Sequence, residues 1–242
     1  MAEPLRIAMW SGPRNLSTAL MRSFGARVDC AVVDEPFYAA YLAATGLDHP
    51  MRDAVIADGE TDPDAVVARC LGPVPGGRPV FYQKHMCHHM IAGFPRDWVD
   101  RVANVFLIRD PAHVVASYAA KRENPSLADI GFGAQKDLFD RVADRLGAAP
   151  PVLDAGRVRA DPHGCLTALC GRLGIAFDAA MLHWPPGPRP EDGVWAAHWY
   201  GAVLTSTGFA PPEAPPPALD GAAARLAAQA RPLYDAMLAF AL

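Results

Sequence analysis

The 242 residues contain no window of about 18 uninterrupted apolar residues, which argues against a membrane-spanning helix. The first residues also lack a basic region followed by an apolar stretch, so no secretory leader is expected. Positive charge is scarce: 22 Lys and Arg face 26 Asp and Glu, leaving a net charge of −4. That balance disfavours general polyanion binding, and neither a nucleic acid nor a membrane is expected as a partner. Any affinity for phosphate has to be confined to a focused site. The five cysteines, Cys30, Cys70, Cys87, Cys165 and Cys170, are odd in number and lack paired spacing. This excludes a disulfide framework and reads as buried, reduced thiols in a cytoplasmic protein. The cluster His85, Cys87, His88 and His89 does not follow the spacing of zinc ligand pairs, and no metal is expected. Missing too is the phosphate loop Gly-x-x-x-x-Gly-Lys-[Ser/Thr], whose second glycine and lysine have no counterpart near the N-terminus.

What is present is a chain with 51% hydrophobic and 20% charged residues, ordinary for a globular protein able to bury a core without covalent staples. Apolar, β-branched runs recur at Leu5–Trp10, Cys30–Asp34, Pro79–Lys84, Val102–Arg109 and Pro151–Asp154. Helix-like segments separate them, the alternation of a parallel sheet. Asp62-Pro63, Asp110-Pro111 and Asp161-Pro162 each place a capping carboxylate before a proline suited to the first helical position. Leu173-Gly174 reads as a helix end with a left-handed cap. The stretches 45–62 and 72–79 read as irregular surface connections. The proline-rich segment Pro211 to Pro217 reads as an extended strap before a last, alanine-rich helix. The expectation is one α/β domain over residues 1–242, with a parallel sheet of about five strands flanked by helices and a helical C-terminal tail.

The first strand stops abruptly in Ser11-Gly12-Pro13-Arg14-Asn15-Leu16-Ser17-Thr18, after which the pattern becomes helical. Strand, tight polar loop and helix start form an arrangement that holds anions. The first N–H groups of a helix lack internal partners and carry the positive end of its dipole. Gly12 and Pro13 supply the turn, Arg14 a planar donor fork, and Ser17 and Thr18 hydroxyl donors. Capping of an ordinary first helix by Asn15 or Ser17 is the simpler alternative. A second segment, Val102 to Tyr118, delivers Arg109 at the carboxyl end of a strand, where open parallel sheets bind ligands, and presents Ser117 on the following helix.

These two segments together resemble the sulfotransferases that use 3′-phosphoadenosine 5′-phosphosulfate (PAPS). Pro13-Arg14-Asn15-Leu16-Ser17-Thr18 matches in register the family's 5′-phosphosulfate loop, Pro-Lys-Ser-Gly-Thr-Thr. Arg109 and Ser117 match its 3′-phosphate motif, and the resemblance covers most of the chain, with Leu153-Asp154 through Ile175 looking like the family's late strand and Asp-Pro helix. It implies a P-loop-NTPase-like architecture, PAPS as cosubstrate with adenosine 3′,5′-bisphosphate as product, no metal, and a hydroxyl- or amine-bearing small molecule as acceptor. Arg14 would stabilise charge developing on the bridging oxygen.

The chain departs from the family at Arg14 in place of lysine, at Leu16 in place of the loop glycine, and at Ala19 where cytosolic members carry an adenine-stacking tryptophan. Trp195 or Trp199 is the candidate replacement, and Arg189 loosely resembles the family's late nucleotide-closing region. For the base the resemblance offers His85, beside Lys84, or Glu35; His85 is favoured, with Lys84 placed to contact the sulfonate. Segments 37–48, 122–132 and 187–207 are expected to shape the acceptor pocket. A P-loop-type kinase or NTPase and a non-catalytic nucleotide-binding module remain alternatives, and the oligomeric state stays open.

Overall fold

The computed structural model describes residues 3–120 and 125–242. The five apolar runs form strands β1 (Leu5–Ser11), β2 (Cys30–Asp34), β3 (Val80–Met86), β4 (Ala103–Ile108) and β5 (Val152–Asp154). They pair in parallel in the order β2-β3-β1-β4-β5. Strand order therefore reverses at β1, which has β3 on one side and β4 on the other. That is the switch point at which parallel sheets open a crevice beyond their carboxyl ends.

Helices α1 (Ser17–Gly25), α2 (Tyr38–Thr45), α3 (Arg52–Asp58), α4 (Pro63–Leu71), α5 (Pro111–Ala119), α6 (Phe132–Leu146), α7 (Ala155–Ala160) and α8 (Pro162–Leu173) fill the connections. The short α9 (Ala196–Trp199) and α10 (Gly201–Leu204) precede the long final α11 (Gly221–Leu238). All three Asp-Pro starts form as read. Asp62, Asp110 and Asp161 accept hydrogen bonds from the backbone N–H of Asp64, Ala112 and Gly164 at 3.0, 2.8 and 2.8 Å. Gly174 ends α8 at φ 71°, a left-handed cap that favours glycine.

Side-chain alternation assigns the two faces of the sheet. On β1, Ile7 and Met9 pack with Leu20, Met21 and Phe24 of α1, whereas Ala8 and Trp10 pack with Phe37, Trp98 and Phe106 on the other face. A third, smaller cluster joins Tyr38 and Leu42 of α2 to Val55, Trp195 and Tyr200. All five cysteines are buried and unpaired. Among the described residues, no helix is long and apolar enough to cross a membrane.

Two boundaries differ from the sequence reading. The stretch 45–62 contains α3, because Val55 is fully buried against the α2 cluster, and one apolar contact of that kind holds a short helix that local polarity does not suggest. Strand β3 runs on to Met86, which pairs with Ser11. Within the expected acceptor segment 122–132, residues 122–124 lie outside the described residues.

Candidate functional site

Beyond the carboxyl ends of β1, β2, β3 and β4 lies a cavity of about 220 Å³. Its floor is the loop Pro13–Thr18 and the start of α1. Helix α1 has no side-chain cap on its first turn and no acidic residue there, so its N–H groups and dipole are left for an anion. Asn15, read as a possible cap, instead braces the loop: its Nδ2 donates to the Leu107 carbonyl at 3.0 Å and its Oδ1 accepts from the Leu16 N–H at 3.0 Å. Behind the loop, Gln135 of α6 donates to the carbonyls of Trp10 and Leu107 at 3.3 and 2.8 Å, tying the ends of β1 and β4 together.

Arg14 holds its backbone at φ 55°, in the left-handed region a non-glycine residue enters at a cost. Its Nε donates to Ser117 Oγ at 3.1 Å, and its carbonyl accepts from Arg109 Nη1 at 2.6 Å. No carboxylate pairs with Arg14 among the described residues. Burial and, after it, the charge of Arg109 lower the pKa of its guanidinium, the direction expected of a cation held without a counter-ion. Thus Arg14, Arg109 and Ser117, from two separate strand-end loops, form one connected donor set on the cavity wall.

A second set lies on the opposite wall. Register pairs Asp34 with Lys84 on neighbouring parallel strands, so both project on one face. The Lys84 ammonium donates to Asp34 Oδ1 at 2.8 Å, to Glu35 Oε1 at 2.6 Å and to the Tyr200 hydroxyl at 2.5 Å. Tyr200 in turn donates to Asp34 Oδ2 at 2.5 Å and accepts from Trp195 Nε1 at 3.1 Å. All three protons of the ammonium are used within the protein. Burial opposes the Lys84 charge, but the two carboxylates outweigh it and its pKa stands well above the usual lysine value. Burial also raises the pKa of Glu35; Lys84 pulls against that rise and Asp34 adds to it. Glu35 sits at φ 40°, a second strained non-glycine position on the cavity.

The rest of the wall is aromatic. His89 is stacked between Tyr38 and Tyr41, with both ring centroids 4.7 Å away, and Trp199 packs on His49 at 5.5 Å. Burial lowers the pKa of His88 to about 4 and that of His89 well below its usual value, so both rings are neutral at neutral pH. Their Nδ1 atoms are buried without a hydrogen-bond partner among the described residues.

The cavity gathers Pro13 to Thr18, Glu35, Lys84, Arg109 and Ser117. Four expected residues lie elsewhere. Gly12 faces Ile130, and a Cβ there would stand 2.8 Å from the Ile130 carbonyl oxygen; its smallness serves packing. His85 points to the other face of β3 from Lys84. Register sets it beside Trp10, on which it stacks at 4.5 Å, and burial drives its pKa down to about 3. Arg189 lines a separate cavity with Arg22, and its Nη2 donates to the Pro185 carbonyl at 3.0 Å. Trp195 supports Tyr200 from behind, and of the two tryptophans considered for stacking Trp199 is the one lining the cavity. Asp34, Tyr38, His49 and Tyr200 do not stand out in the sequence; the acidic pair Asp34-Glu35 at the end of β2 is the one local sign of them.

The donors fit a phosphate anion: among the described residues, a helix N-terminus without a side-chain cap, Arg14 without a counter-ion, and buried Arg109 Nε without a partner. Comparison with known proteins identifies the family. A family model described as a sulfotransferase domain matches residues 5–241. In Arabidopsis thaliana, the branched-chain-amino-acid aminotransferase-like proteins 1 and 2 are 40% and 36% identical over 97% and 95% of the chain. The chain spans 42% and 40% of their lengths. Among solved structures, the sulfotransferase domain from the curacin biosynthetic pathway superposes with a TM-score of 0.53 at 16% identity, over 95% of this chain and 98% of that one. The sulfotransferase from Alicyclobacillus acidocaldarius gives 0.50 at 14% identity, over 77% and 88%. These two likenesses show the shared fold, a five-stranded parallel sheet flanked by helices. With the match extending over nearly its whole length, the chain belongs to the sulfotransferase domain family.

Proposed function

We propose that the chain transfers a sulfuryl group from PAPS to a hydroxyl or amine of a small-molecule acceptor. The observation that carries this reading is the linkage of Arg14, Ser117 and Arg109 across two strand-end loops, because a nucleotide with phosphate on both sides of its ribose needs two anion sites. Bound there, PAPS supplies an activated sulfuryl group on a phosphate leaving group. The loop N–H groups and the Arg14 fork neutralise charge as it develops on the bridging oxygen. Arg109 fastens the loop that carries Arg14, and Ser117 holds the guanidinium until a ligand oxygen takes its place.

Glu35 is the base in this reading. Its carboxylate lines the cavity, Lys84 occupies Oε1, and Oε2 makes no hydrogen bond among the described residues. The burial that raises its pKa moves it toward the range in which a carboxylate accepts a proton efficiently near neutrality. Lys84 then orients Glu35, since its protons are engaged by Asp34, Glu35 and Tyr200, and His85 has no part. The wall of Tyr38, His49, neutral His88 and Trp199 suits a largely uncharged, planar acceptor.

Calorimetry with adenosine 3′,5′-bisphosphate tests the reading. Binding that Arg109→Ala removes supports it, as does sulfated product formed from PAPS across an acceptor panel. Absence of binding by the unmodified protein overturns it.

A further inference from the structure

Glu213 stands in the proline-rich strap 211–217, which contains no helix or strand and in which every residue but Glu213 is exposed. Its side chain is 8% exposed. Oε1 lies 2.5 Å from Arg109 Nη2 and 2.7 Å from Arg159 Nη1, and Oε2 lies 3.7 Å from His113 Nε2. Arg159 also donates from Nε to the Pro211 carbonyl at 2.7 Å, which fixes the strap at this point. Arg109 consequently has Nη1 on the Arg14 carbonyl, Nη2 on Glu213, and a buried Nε without a partner among the described residues. Neither terminal nitrogen is free.

We infer that Glu213 is a resident counter-anion of the nucleotide site: its carboxylate occupies a seat formed by the guanidinium groups of Arg109 and Arg159, with the His113 ring beside them, and it has to withdraw before a ribose 3′-phosphate takes that seat. The inference rests on the nucleotide reading above. Its physical basis is competition between anions for the same planar donors. A carboxylate and a phosphate both match the guanidinium fork, and Arg109 cannot give Nη2 to both at full strength. Arg159 lies in the last turn of α7, the helix that follows β5, and it becomes a phosphate ligand once the carboxylate leaves. The strap suits a displaceable part, since proline offers no backbone N–H to a sheet or helix and the segment is held here through Arg159 and the Glu213 carboxylate. Seven residues rich in proline also lose little chain entropy on re-forming the contact, so the seat refills when the ligand departs.

The inference predicts discrimination by the 3′-phosphate specifically. Affinities for adenosine 3′,5′-bisphosphate and adenosine 5′-monophosphate are measured by calorimetry on the intact chain and on Glu213→Gln and Glu213→Asp. The expected result is a gain of about tenfold for the bisphosphate in Glu213→Gln and a smaller gain in Glu213→Asp, with the monophosphate unchanged in both. Adding Arg159→Gln to Glu213→Gln cancels most of that gain. If the unmodified chain binds the bisphosphate and Glu213→Gln binds it no better, or if both nucleotides gain equally, the counter-anion role is wrong while the nucleotide reading stands. If the unmodified chain does not bind the bisphosphate, the nucleotide reading fails and takes this inference with it.

Discussion

Arg109 donates from Nη1 to the main-chain carbonyl of Arg14 at 2.6 Å, joining residues 95 positions apart into one unit. The contact does more than place a charge. It holds the carbonyl of a residue at φ 55°, where the backbone conformation is unfavourable without support. Arg109→Ala therefore removes a donor of the proposed nucleotide site and loosens the loop that presents Arg14. Losing about two charge-assisted hydrogen bonds, each worth roughly 1.5 kcal/mol, lowers affinity for adenosine 3′,5′-bisphosphate by about 100-fold. Arg109→Lys keeps the charge but cannot reach the Arg14 carbonyl and a phosphate together, so its loss falls between wild type and alanine. Calorimetry on the three proteins checks the order; lysine equal to alanine would mean that charge contributes nothing.

Glu35 predicts a pH dependence with a definite sign. A protonated carboxyl cannot accept the acceptor's proton, so kcat/KM falls as pH drops through the Glu35 pKa. Burial raises that pKa, so the fall begins above the ordinary carboxylate range. Glu35→Gln removes this limb and lowers kcat by about 100- to 10,000-fold while leaving adenosine 3′,5′-bisphosphate affinity nearly intact. A pH–rate profile of sulfated product formation shows both effects. Retention of the acidic limb by a still-active Glu35→Gln would assign it to another group.

The Lys84 network predicts a cost in stability. Lys84 is fully buried, and replacing it with methionine leaves Asp34 and Glu35 together without their shared cation. Removing one member of a buried ion pair costs about 3–5 kcal/mol. At about 2–4 °C per kcal/mol for a chain of this size, the melting temperature drops by roughly 6–20 °C. Raising the pH deepens the loss, because Glu35, whose pKa is already raised, is then ionised next to Asp34. Thermal melts across pH test this; a variant that melts with wild type would mean the network contributes no net stability.

How far the sequence reveals this site depends on how local each part of it is. The strands and Asp-Pro caps are visible because each rests on a few adjacent residues, and so is the loop Pro13–Thr18. Arg109 and Ser117 are separated by eight positions on one strand-to-helix unit and can be read together. Asp34, Lys84 and Tyr200 are a different case. Their meeting depends on the register of β2 against β3 and on a contact spanning 166 residues, neither of which a local pattern carries. The contact between Glu213 and Arg109 has the same origin, since a strap without periodicity gives no hint of where it docks. Lys84 and His85 show the sharpest limit. Adjacent residues on a strand face opposite sides, and the choice of side depends on which face α1 covers.

That geometry makes His85 a decisive substitution. Its ring stacks on Trp10 at 4.5 Å, packs tilted against Trp98 at 5.3 Å, and shares a hydrogen bond with Gln83 Oε1 at 3.2 Å, all on the face away from the cavity. Phenylalanine preserves the stacking but strands the Gln83 carbonyl oxygen, an unsatisfied buried acceptor that costs about 1–3 kcal/mol. Gln83 stays anchored through Nε2, which donates to the Cys70 carbonyl at 2.7 Å, so the damage remains local. His85→Phe is thus expected to lower the melting temperature while kcat stays within about threefold of wild type, in contrast to the large loss in Glu35→Gln. Because burial holds the His85 pKa near 3, its titration also contributes nothing to the activity profile above pH 5 or so. Loss of kcat in His85→Phe comparable to that in Glu35→Gln, with the fold intact by circular dichroism, would return the base to His85 and require β3 to rotate its faces in the working enzyme.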